Sequence, residues 1–211
     1  CHHIPFGIDL EVFKPLSKVE CRKKLGIPLG HKVIAFRDIG QSSKMSGYKG
    51  ISYLMEALKL YNPIDPTTLL IFENGKGFKI LSPKYEVLTP GWIDGEDLVI
   101  ALSASDIFLM PSIQEAFGLM AVESMACGTP VIVFEGTALQ DVIKAPLGGL
   151  AIPSRDSRAL AEAIKQLLEN DEFRYKLSRQ ARQIAEREYS FPQYVQRHIN
   201  LYDKVIEHHR L

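Results

Sequence analysis

Residues 107–134 have the sequence IFLMPSIQEAFGLMAVESMACGTPVIVF, and this stretch decides the fold. Its two apolar runs, Ile107–Met110 and Val131–Phe134, have the length of buried strands. Between them lies a helical pattern that begins near Gly118 and stops at Gly128, a residue type favoured just after a helix. Two strands joined by a helix pair in parallel, so the stretch predicts a βαβ unit.

The same alternation of apolar runs and helical patterns extends in both directions. The other predicted strands span residues 32–36, 68–72, 86–88 and 149–152. Helical patterns cover residues 50–61, 96–105, a short stretch at 141–142, and three longer stretches at 157–170, 171–189 and 191–208. We therefore expect an α/β fold with a doubly wound, Rossmann-like parallel sheet and a helical C-terminal tail.

The composition restricts the class of partner. Hydrophobic residues make up 46% and charged residues 24%, which is typical of a globular protein. The 25 basic and 25 acidic residues cancel, so nucleic acid is not an expected partner. No apolar run is long enough to span a bilayer, so no transmembrane segment is expected. The three cysteines have no paired spacing, which favours a reducing, cytoplasmic compartment and no zinc site.

Arg37 and Lys49 are the first candidate site residues. In open parallel sheets, ligands bind outside the carboxyl ends of the strands, and Arg37 directly follows the first predicted strand. Lys49 follows a polar loop that we expect to be flexible, and precedes the next helix. The two cations could neutralise one diphosphate. The alternative is that both are ordinary surface cations.

The turn at residues 111–118 and the helix after it carry the second set of candidates. A helix that begins at Gly118 presents free backbone N–H groups and a favourable dipole to a phosphate. Glu115 before it and Glu123 within it could accept hydrogen bonds from sugar hydroxyls. Alternatively, Glu123 is a solvated helix position and Glu115 only complements the helix dipole.

Two further turns are weaker candidates. Gly91-Trp92-Ile93 follows a predicted strand and could hold a nucleotide base, unless Trp92 belongs to the core or to a domain contact. Residues 135–138 form a turn suited to a phosphate or sugar. Residues 74–77 are glycine-rich, but they lack the Walker pattern and predict only a turn. The sequence also lacks Gly-x-Gly-x-x-Gly, a Gly-x-Ser-x-Gly elbow and an acidic cluster for magnesium.

In these residues, the chain resembles the C-terminal domain of GT-B-fold glycosyltransferases, in particular glycosyltransferase family 4 (glycosyl transferases group 1). Glu115 and Glu123 have the family's spacing of seven intervening residues, with Phe117-Gly118-Leu119 after the first. Residues 4–9 resemble its interdomain loop, and Arg37 with Lys49-Gly50 resembles its phosphate-binding pair. The sequence departs from the family at Phe36, where glycine is usual, and in the long loop that follows.

The resemblance implies a role for each site residue. Arg37 and Lys49 would neutralise the donor diphosphate, and Glu115 would contact hydroxyls of the transferred sugar. These three are the expected catalytic residues. The remaining expected contacts to the donor are Phe117, Gly118, Leu119, Glu123 and Ile93, with Glu123 on the ribose and Ile93 near the base. No cofactor and no metal are expected besides the nucleotide-diphosphate sugar itself.

The resemblance also implies a domain organisation and an activity. Residues 1–15 would be an interdomain segment, residues 16–190 the donor-binding domain, and residues 191–211 a helix that packs toward an N-terminal acceptor domain outside this sequence. The whole protein would be a retaining hexosyltransferase acting on a glycan, lipid or small molecule, cytoplasmic or peripheral to the inner membrane through that other domain. The fragment alone would be inactive. Alternatives are a GT-B sugar-nucleotide epimerase and a non-catalytic nucleotide-binding or interaction domain.

Overall fold

A six-stranded, all-parallel sheet forms the centre of the protein, for which a computed structural model describes residues 2–38, 47–81 and 84–209. The strand order is β3-β2-β1-β4-β5-β6. In chain order the strands are β1 (Lys32–Asp38), β2 (Thr67–Glu73), β3 (Glu86–Gly91), β4 (Ile107–Met110), β5 (Val131–Phe134) and β6 (Gly149–Ile152). The order reverses between β1 and β4, which pair through Phe36 and Leu109, and this reversal opens a crevice at their carboxyl ends.

Helices cover both faces of the sheet. They are α1 (Lys18–Leu25), α2 (Ile51–Leu60), α3 (Gly95–Ala104), α4 (Leu119–Ala126), α5 (Ala138–Val142), α6 (Ser157–Glu169), α7 (Asp171–Glu188) and α8 (Phe191–His209). Side chains alternate along β1, so Val33 and Ala35 join one buried cluster with α3, α4 and α7. Ile34 and Phe36 join a second cluster with α2 and α6. The expected doubly wound α/β fold is thereby confirmed.

Two elements were not predicted from the sequence. Helix α1 buries only Cys21 and Arg22, so it lacks the apolar stripe that marks most helices. Its start is fixed by Ser17, whose side chain accepts a hydrogen bond from the backbone N–H of Glu20. The prediction of a simple turn at residues 74–77 was also wrong, because a 3₁₀ helix (Lys76–Leu81) begins there. That helix is held by Phe78, whose ring lies 4.8 Å from the ring of Phe36.

The N-terminal segment of the chain pairs with the residues that precede and begin α8. The backbone N–H of Ile8 donates to the carbonyl of Tyr189, and the N–H of Phe191 donates to the carbonyl of Ile8. Helix α8 starts at this contact and exposes an apolar stripe of Val195, Ile199, Tyr202 and Ile206. Among the described residues, no helix is both long and apolar enough to cross a bilayer.

Candidate functional site

Arg37 and Lys49 lie together in the crevice between β1 and β4. Both line a small cavity of about 50 Å³ whose wall also includes Met120, in the first turn of α4. The two cations and the helix start are therefore on the same edge of the sheet. The polar loop that joins them falls on residues 39–46, which lie outside the described residues.

The side chain of Arg37 is held from two sides by the turn after β3. Its Nη2 donates to the carbonyl of Ile93 at 3.0 Å, and its guanidinium carbon lies 4.4 Å from the centre of the Trp92 ring. Its Nε is buried and has no hydrogen-bond acceptor among the described residues. A buried charged donor without an acceptor is costly, so Arg37 is set to receive an anion.

The turn after β3 presents its backbone and the Trp92 ring to the site. Trp92 is 63% exposed, so the alternative that it belongs to the core is wrong. The Ile93 side chain is mostly buried in the core cluster. What Ile93 contributes to the site is its backbone carbonyl, which accepts the hydrogen bond from Arg37.

Lys49 is paired with Glu115 across the crevice. Lys49 Nζ lies 2.6 Å from Glu115 Oε2, and both side chains are largely buried. The backbone explains the approach, because the N–H of Ile113 donates to the carbonyl of Tyr48 at 2.7 Å. Gly50 has φ of +67°, and a Cβ there would stand 1.9 Å from the carbonyl oxygen of Pro111. Gly50 thus positions Lys49, and its close approach to Pro111 could not be read from the sequence.

Helix α4 starts at a glycine that nothing could replace without strain. Gly118 has φ of +88°, and a Cβ there would stand 2.3 Å from Cδ2 of Leu139. No side chain caps this start, and the N–H of Ala121 is already bonded to the carbonyl of Gly118. The N–H groups of Leu119 and Met120 lie ahead of that bond, at the end of the helix where backbone donors have no helical acceptor. They can bind an anion together with the positive end of the helix dipole.

Phe117 anchors this helix start from behind. Its ring packs against the rings of Phe6 and Tyr189, with centroid distances of 5.3 Å and 5.9 Å. Its side chain is buried. Leu119, by contrast, is exposed at the surface of the first turn.

Glu123 lies one turn further along α4. It is half-buried, so the alternative of a fully solvated helix position is wrong. Burial raises the pKa of its carboxyl, and the nearby charge of Arg37 opposes this shift. Glu123 therefore lies close enough to Arg37 to interact with it electrostatically.

We call the set of Arg37, Lys49, Glu115, Gly118 and Glu123 the socket. A wider opening of about 560 Å³ continues from it, bounded by Lys49, Glu115 and the turn at residues 135–138. Tyr48 and Gln114 also line this opening, and sequence patterns did not single them out. Within the described part of the chain, no group of three His, Cys, Asp or Glu side chains is arranged to hold a metal ion. The socket is suited to bind an anion next to a hydroxyl-bearing group.

Comparison with known proteins identifies the family. A family model described as glycosyl transferases group 1 matches residues 20–184. Among curated proteins, a D-inositol 3-phosphate glycosyltransferase of Corynebacterium urealyticum is 32% identical over 213 residues, covering 93% of this chain and 49% of that protein. Another D-inositol 3-phosphate glycosyltransferase, from Saccharomonospora viridis, is 30% identical over 198 residues, covering 86% of this chain and 45% of that protein. The chain thus spans about half the length of the curated relatives it matches.

Solved structures share the fold. Sucrose-phosphate synthase from Thermosynechococcus elongatus superimposes with a TM-score of 0.81 at 26% identity, covering 97% of this chain and 52% of that one. HepE of Anabaena, in complex with UDP and glucose, superimposes with a TM-score of 0.77 at 20% identity, covering 93% of this chain and 55% of that one. The C-terminal domain of the group 1 protein LpcC from Francisella tularensis superimposes with a TM-score of 0.71 at 21% identity, covering 88% of this chain and 100% of that one. The chain therefore belongs to the glycosyl transferases group 1 family, and the parallel sheet with its flanking helices forms a domain of the GT-B type.

Proposed function

We propose that this chain binds the nucleotide-sugar donor of a retaining glycosyltransferase, with the diphosphate in the socket. The observation that carries this proposal is the convergence of Arg37, Lys49 and the uncapped start of α4 on one crevice. Two cations and free backbone N–H groups are what a diphosphate requires. The unsatisfied Nε of Arg37 adds a specific donor for one of its oxygens.

The remaining socket residues have roles that follow from their positions. Glu123, half-buried in the first turns of α4, accepts hydrogen bonds from the ribose hydroxyls. Glu115, on the other side of the helix start, accepts hydrogen bonds from the transferred sugar. The base lies against the backbone near Ile93. The structure of HepE with UDP and glucose supports this type of donor, as a related fold that holds a uridine diphosphate.

The proposed chemistry depends on charge and position rather than on a protein nucleophile. Cleaving the bond between sugar and diphosphate leaves a nucleoside diphosphate with additional negative charge. Arg37, Lys49 and the positive end of α4 stabilise that charge, and they are already in place before the reaction. Glu115 holds Lys49 at 2.6 Å and positions the sugar. This scheme requires no metal ion and no further cofactor.

We further propose that the acceptor site lies in another domain. Residues 16–190 would bind the donor, residues 1–15 would be the segment that enters from that domain, and residues 191–211 would return to it. The exposed apolar stripe of α8 supports this arrangement, because such a stripe on a 19-residue helix requires a partner surface. The chain alone would then bind a donor and transfer nothing. A hexosyl group is the proposed cargo, and relatives named D-inositol 3-phosphate glycosyltransferase support transfer of a sugar.

Calorimetry with UDP, GDP and ADP tests the proposal on the chain as it is. We expect at least one of the three to bind, and the Arg37→Ala variant to bind it at least tenfold more weakly, since a charge-assisted hydrogen bond contributes about 1.5–3 kcal/mol. Arg158→Ala is the matched control, because Arg158 is exposed on α6 and lines neither the small cavity nor the wider opening. A folded sample that binds none of the three nucleotides would exclude the proposed donor site.

A further inference from the structure

A second cavity opens at the opposite edge of the sheet. It has a volume of about 440 Å³ and lies against Asp106 before β4 and Thr129-Pro130 before β5. The amino ends of parallel strands share one edge and their carboxyl ends the other. Roughly 13 Å of strand β4 therefore separates this cavity from the socket. We call it the basic cavity, after the cations that line it: Lys18, Arg174, Arg179 and Arg182.

The basic cavity has more positive than negative charge. Asp106 is its one acidic lining residue, and that carboxylate is already occupied. Asp106 Oδ1 accepts from Lys18 Nζ at 2.8 Å, and Oδ2 accepts from Arg22 Nη2 and from the N–H of Val33, both at 2.8 Å. Arg174 and Arg182 pair with Asp171 and Glu186, which lie outside the lining, at 2.7 Å each. Arg179 is therefore the one lining cation without a carboxylate partner among the described residues.

Lys18 pairs with Asp106 but also lies near Arg22 and Arg174. Burial lowers the pKa of its ammonium group, and the charges of Arg22 and Arg174 lower it further, which together outweigh the attraction of Asp106. An anion in the cavity would favour the charged form of Lys18. The Lys18 side chain is 39% exposed, and it lines the cavity.

Donors on α7 remain available on the same wall. Arg179 is exposed and forms no hydrogen bond or ion pair with the described residues. Arg182 donates from Nη1 to the carbonyls of Phe13 and Ala126 and from Nε to Glu186 Oε1, so Nη2 is the nitrogen left for a ligand. The carbonyl of Ala126 is one of the last in α4, where the helix dipole would repel an anion, and its bond to Arg182 offsets that effect.

The other walls of the basic cavity are carbon-rich. They are formed by Pro15, Leu16, Pro130 and the ring of Tyr175, of which Leu16 and Tyr175 are also exposed. The volume lies in the range of pockets that enclose small organic molecules. The cavity thus combines a cationic wall with a surface suited to the body of an organic ligand.

We propose that the basic cavity binds a small phosphate monoester, with the phosphate on Lys18, Arg179 and Arg182 and its organic part against Leu16 and Tyr175. A monoester carries close to two charges and three terminal oxygens at neutral pH, which matches several cations better than a carboxylate does. This site is separate from the socket and does not depend on the function proposed for it.

Calorimetry at low ionic strength tests this site with glycerol 3-phosphate and inorganic phosphate as probes. We expect glycerol 3-phosphate to bind, more tightly than inorganic phosphate, and Arg179→Ala to weaken it about tenfold. The matched control is Lys176→Ala, which removes an exposed cation from α7 that does not line the cavity and should change affinity by less than about twofold. The socket variant Arg37→Ala should bind the probe like the unaltered chain.

Three results would overturn the proposal. The first is an Arg179→Ala variant with unchanged affinity for glycerol 3-phosphate. The second is loss of that binding in Arg37→Ala, which would place the phosphate in the socket. The third is a chain that sediments with phosphatidic acid vesicles but does not bind glycerol 3-phosphate. That result would show that the cavity recognises the phosphate of a lipid headgroup instead of a small phosphate monoester. Nucleotide binding by Arg179→Ala should be unchanged, so failure of this site leaves the donor site untouched.

Discussion

The ammonium group of Lys49 lies 2.6 Å from a carboxylate oxygen of Glu115, although 66 positions separate the two residues in the chain. The pair joins the start of α2 to the turn before α4, and so brings a cation of one βα loop to the helix start of another. Each partner holds the other in a fixed position in the crevice. The socket is therefore built by contacts between loops rather than by one motif.

Replacing Lys49 by methionine should weaken binding of nucleoside diphosphates. The change removes a cation from the crevice and leaves Glu115 partly buried without its partner. We expect UDP to bind about tenfold more weakly, while uridine, which has no phosphates, should bind as before. Calorimetry with both ligands measures this. An equal loss for UDP and uridine would show that the lysine only maintains the fold.

Replacing Gly118 by alanine should destabilise the fold and also damage the phosphate site. A Cβ at this residue would lie 2.3 Å from Leu139, and its φ is +88°. Gly26→Ala is the control, because Gly26 has a similar φ but open space around it. We expect Gly26→Ala to cost about 1 kcal/mol of unfolding free energy and Gly118→Ala to cost more, with roughly 3 kcal/mol as an upper guide. Urea denaturation of both variants gives the difference, and equal losses would contradict the clash.

Donor binding should weaken on acidification in a range set by Glu123. Burial raises the pKa of this carboxyl, so it takes up a proton at a higher pH than an ordinary glutamate does. Below that raised pKa it can no longer accept two hydrogen bonds from the ribose. We expect Glu123→Gln to bind UDP more weakly at neutral pH. Its affinity for UDP should also depend less on pH in the acidic range than that of the unaltered chain. A 2′,3′-dideoxy UDP should show no difference between the two proteins, and a persistent difference would place Glu123 elsewhere.

The same shift has a defined sign for stability. A raised folded-state pKa means that protonation of Glu123 favours the folded chain at low pH, and that this contribution is lost as the pH rises through the raised pKa. At neutral pH, Glu123→Gln should therefore be at least as stable as the unaltered chain while it binds UDP more weakly. Thermal unfolding at pH 7 measures this, and a clearly lower melting temperature would contradict it.

Asp106 should be among the residues whose loss is most destabilising. It receives hydrogen bonds from Lys18, Arg22 and the N–H of Val33, all at the amino edge of the sheet. Burial alone would raise the pKa of Asp106, but these cations together lower it. We expect Asp106→Asn to cost about 3–5 kcal/mol, because it leaves buried cations without their partner. Asp203→Asn on the exposed face of α8 is the control in denaturant titrations.

The sign of the pH dependence of this cluster follows from the lowered pKa. The ion pairs of Asp106 stabilise the folded chain at any pH above the pKa that an aspartate has in the unfolded chain. This stabilisation is lost as the pH falls through the lower pKa of Asp106 in the folded chain. Acid unfolding of the unaltered chain should thus be shifted to lower pH than that of Asp106→Asn. Coincident acid transitions would show that the ion pairs contribute nothing measurable.

The fold could be predicted because its buried strands are short, apolar and separated by clear stops. The predicted bounds of β4, β5 and β6 agree with the structure to the residue. Helix α1 could not be predicted in the same way, since it buries only two of its side chains and is charged along most of its length. Local patterns reveal elements that carry an apolar face, whether that face is buried as in α6 or exposed as in α8, and α1 carries none.

The sequence allowed candidate site residues to be selected, but not the geometry in which they lie. The rule that ligands bind at strand carboxyl ends selected Arg37 and Glu115, and the structure brings both to one crevice. The close approach of Gly50 to Pro111 depends on two distant loops, which no local pattern describes. The stacking of Arg37 on Trp92 likewise requires the register of β1 against its neighbours. Contacts of this kind appear only when the sheet has been assembled.

Backbone amide NMR of the ¹⁵N-labelled chain, titrated with UDP, GDP or ADP, tests the socket most directly. The account predicts that the largest shifts occur at the amides of Gly118, Leu119 and Met120 and at the Nε–H of Arg37. Saturating shifts centred on the opposite edge of the sheet, near Cys127–Thr129, with the start of α4 unmoved, would contradict it.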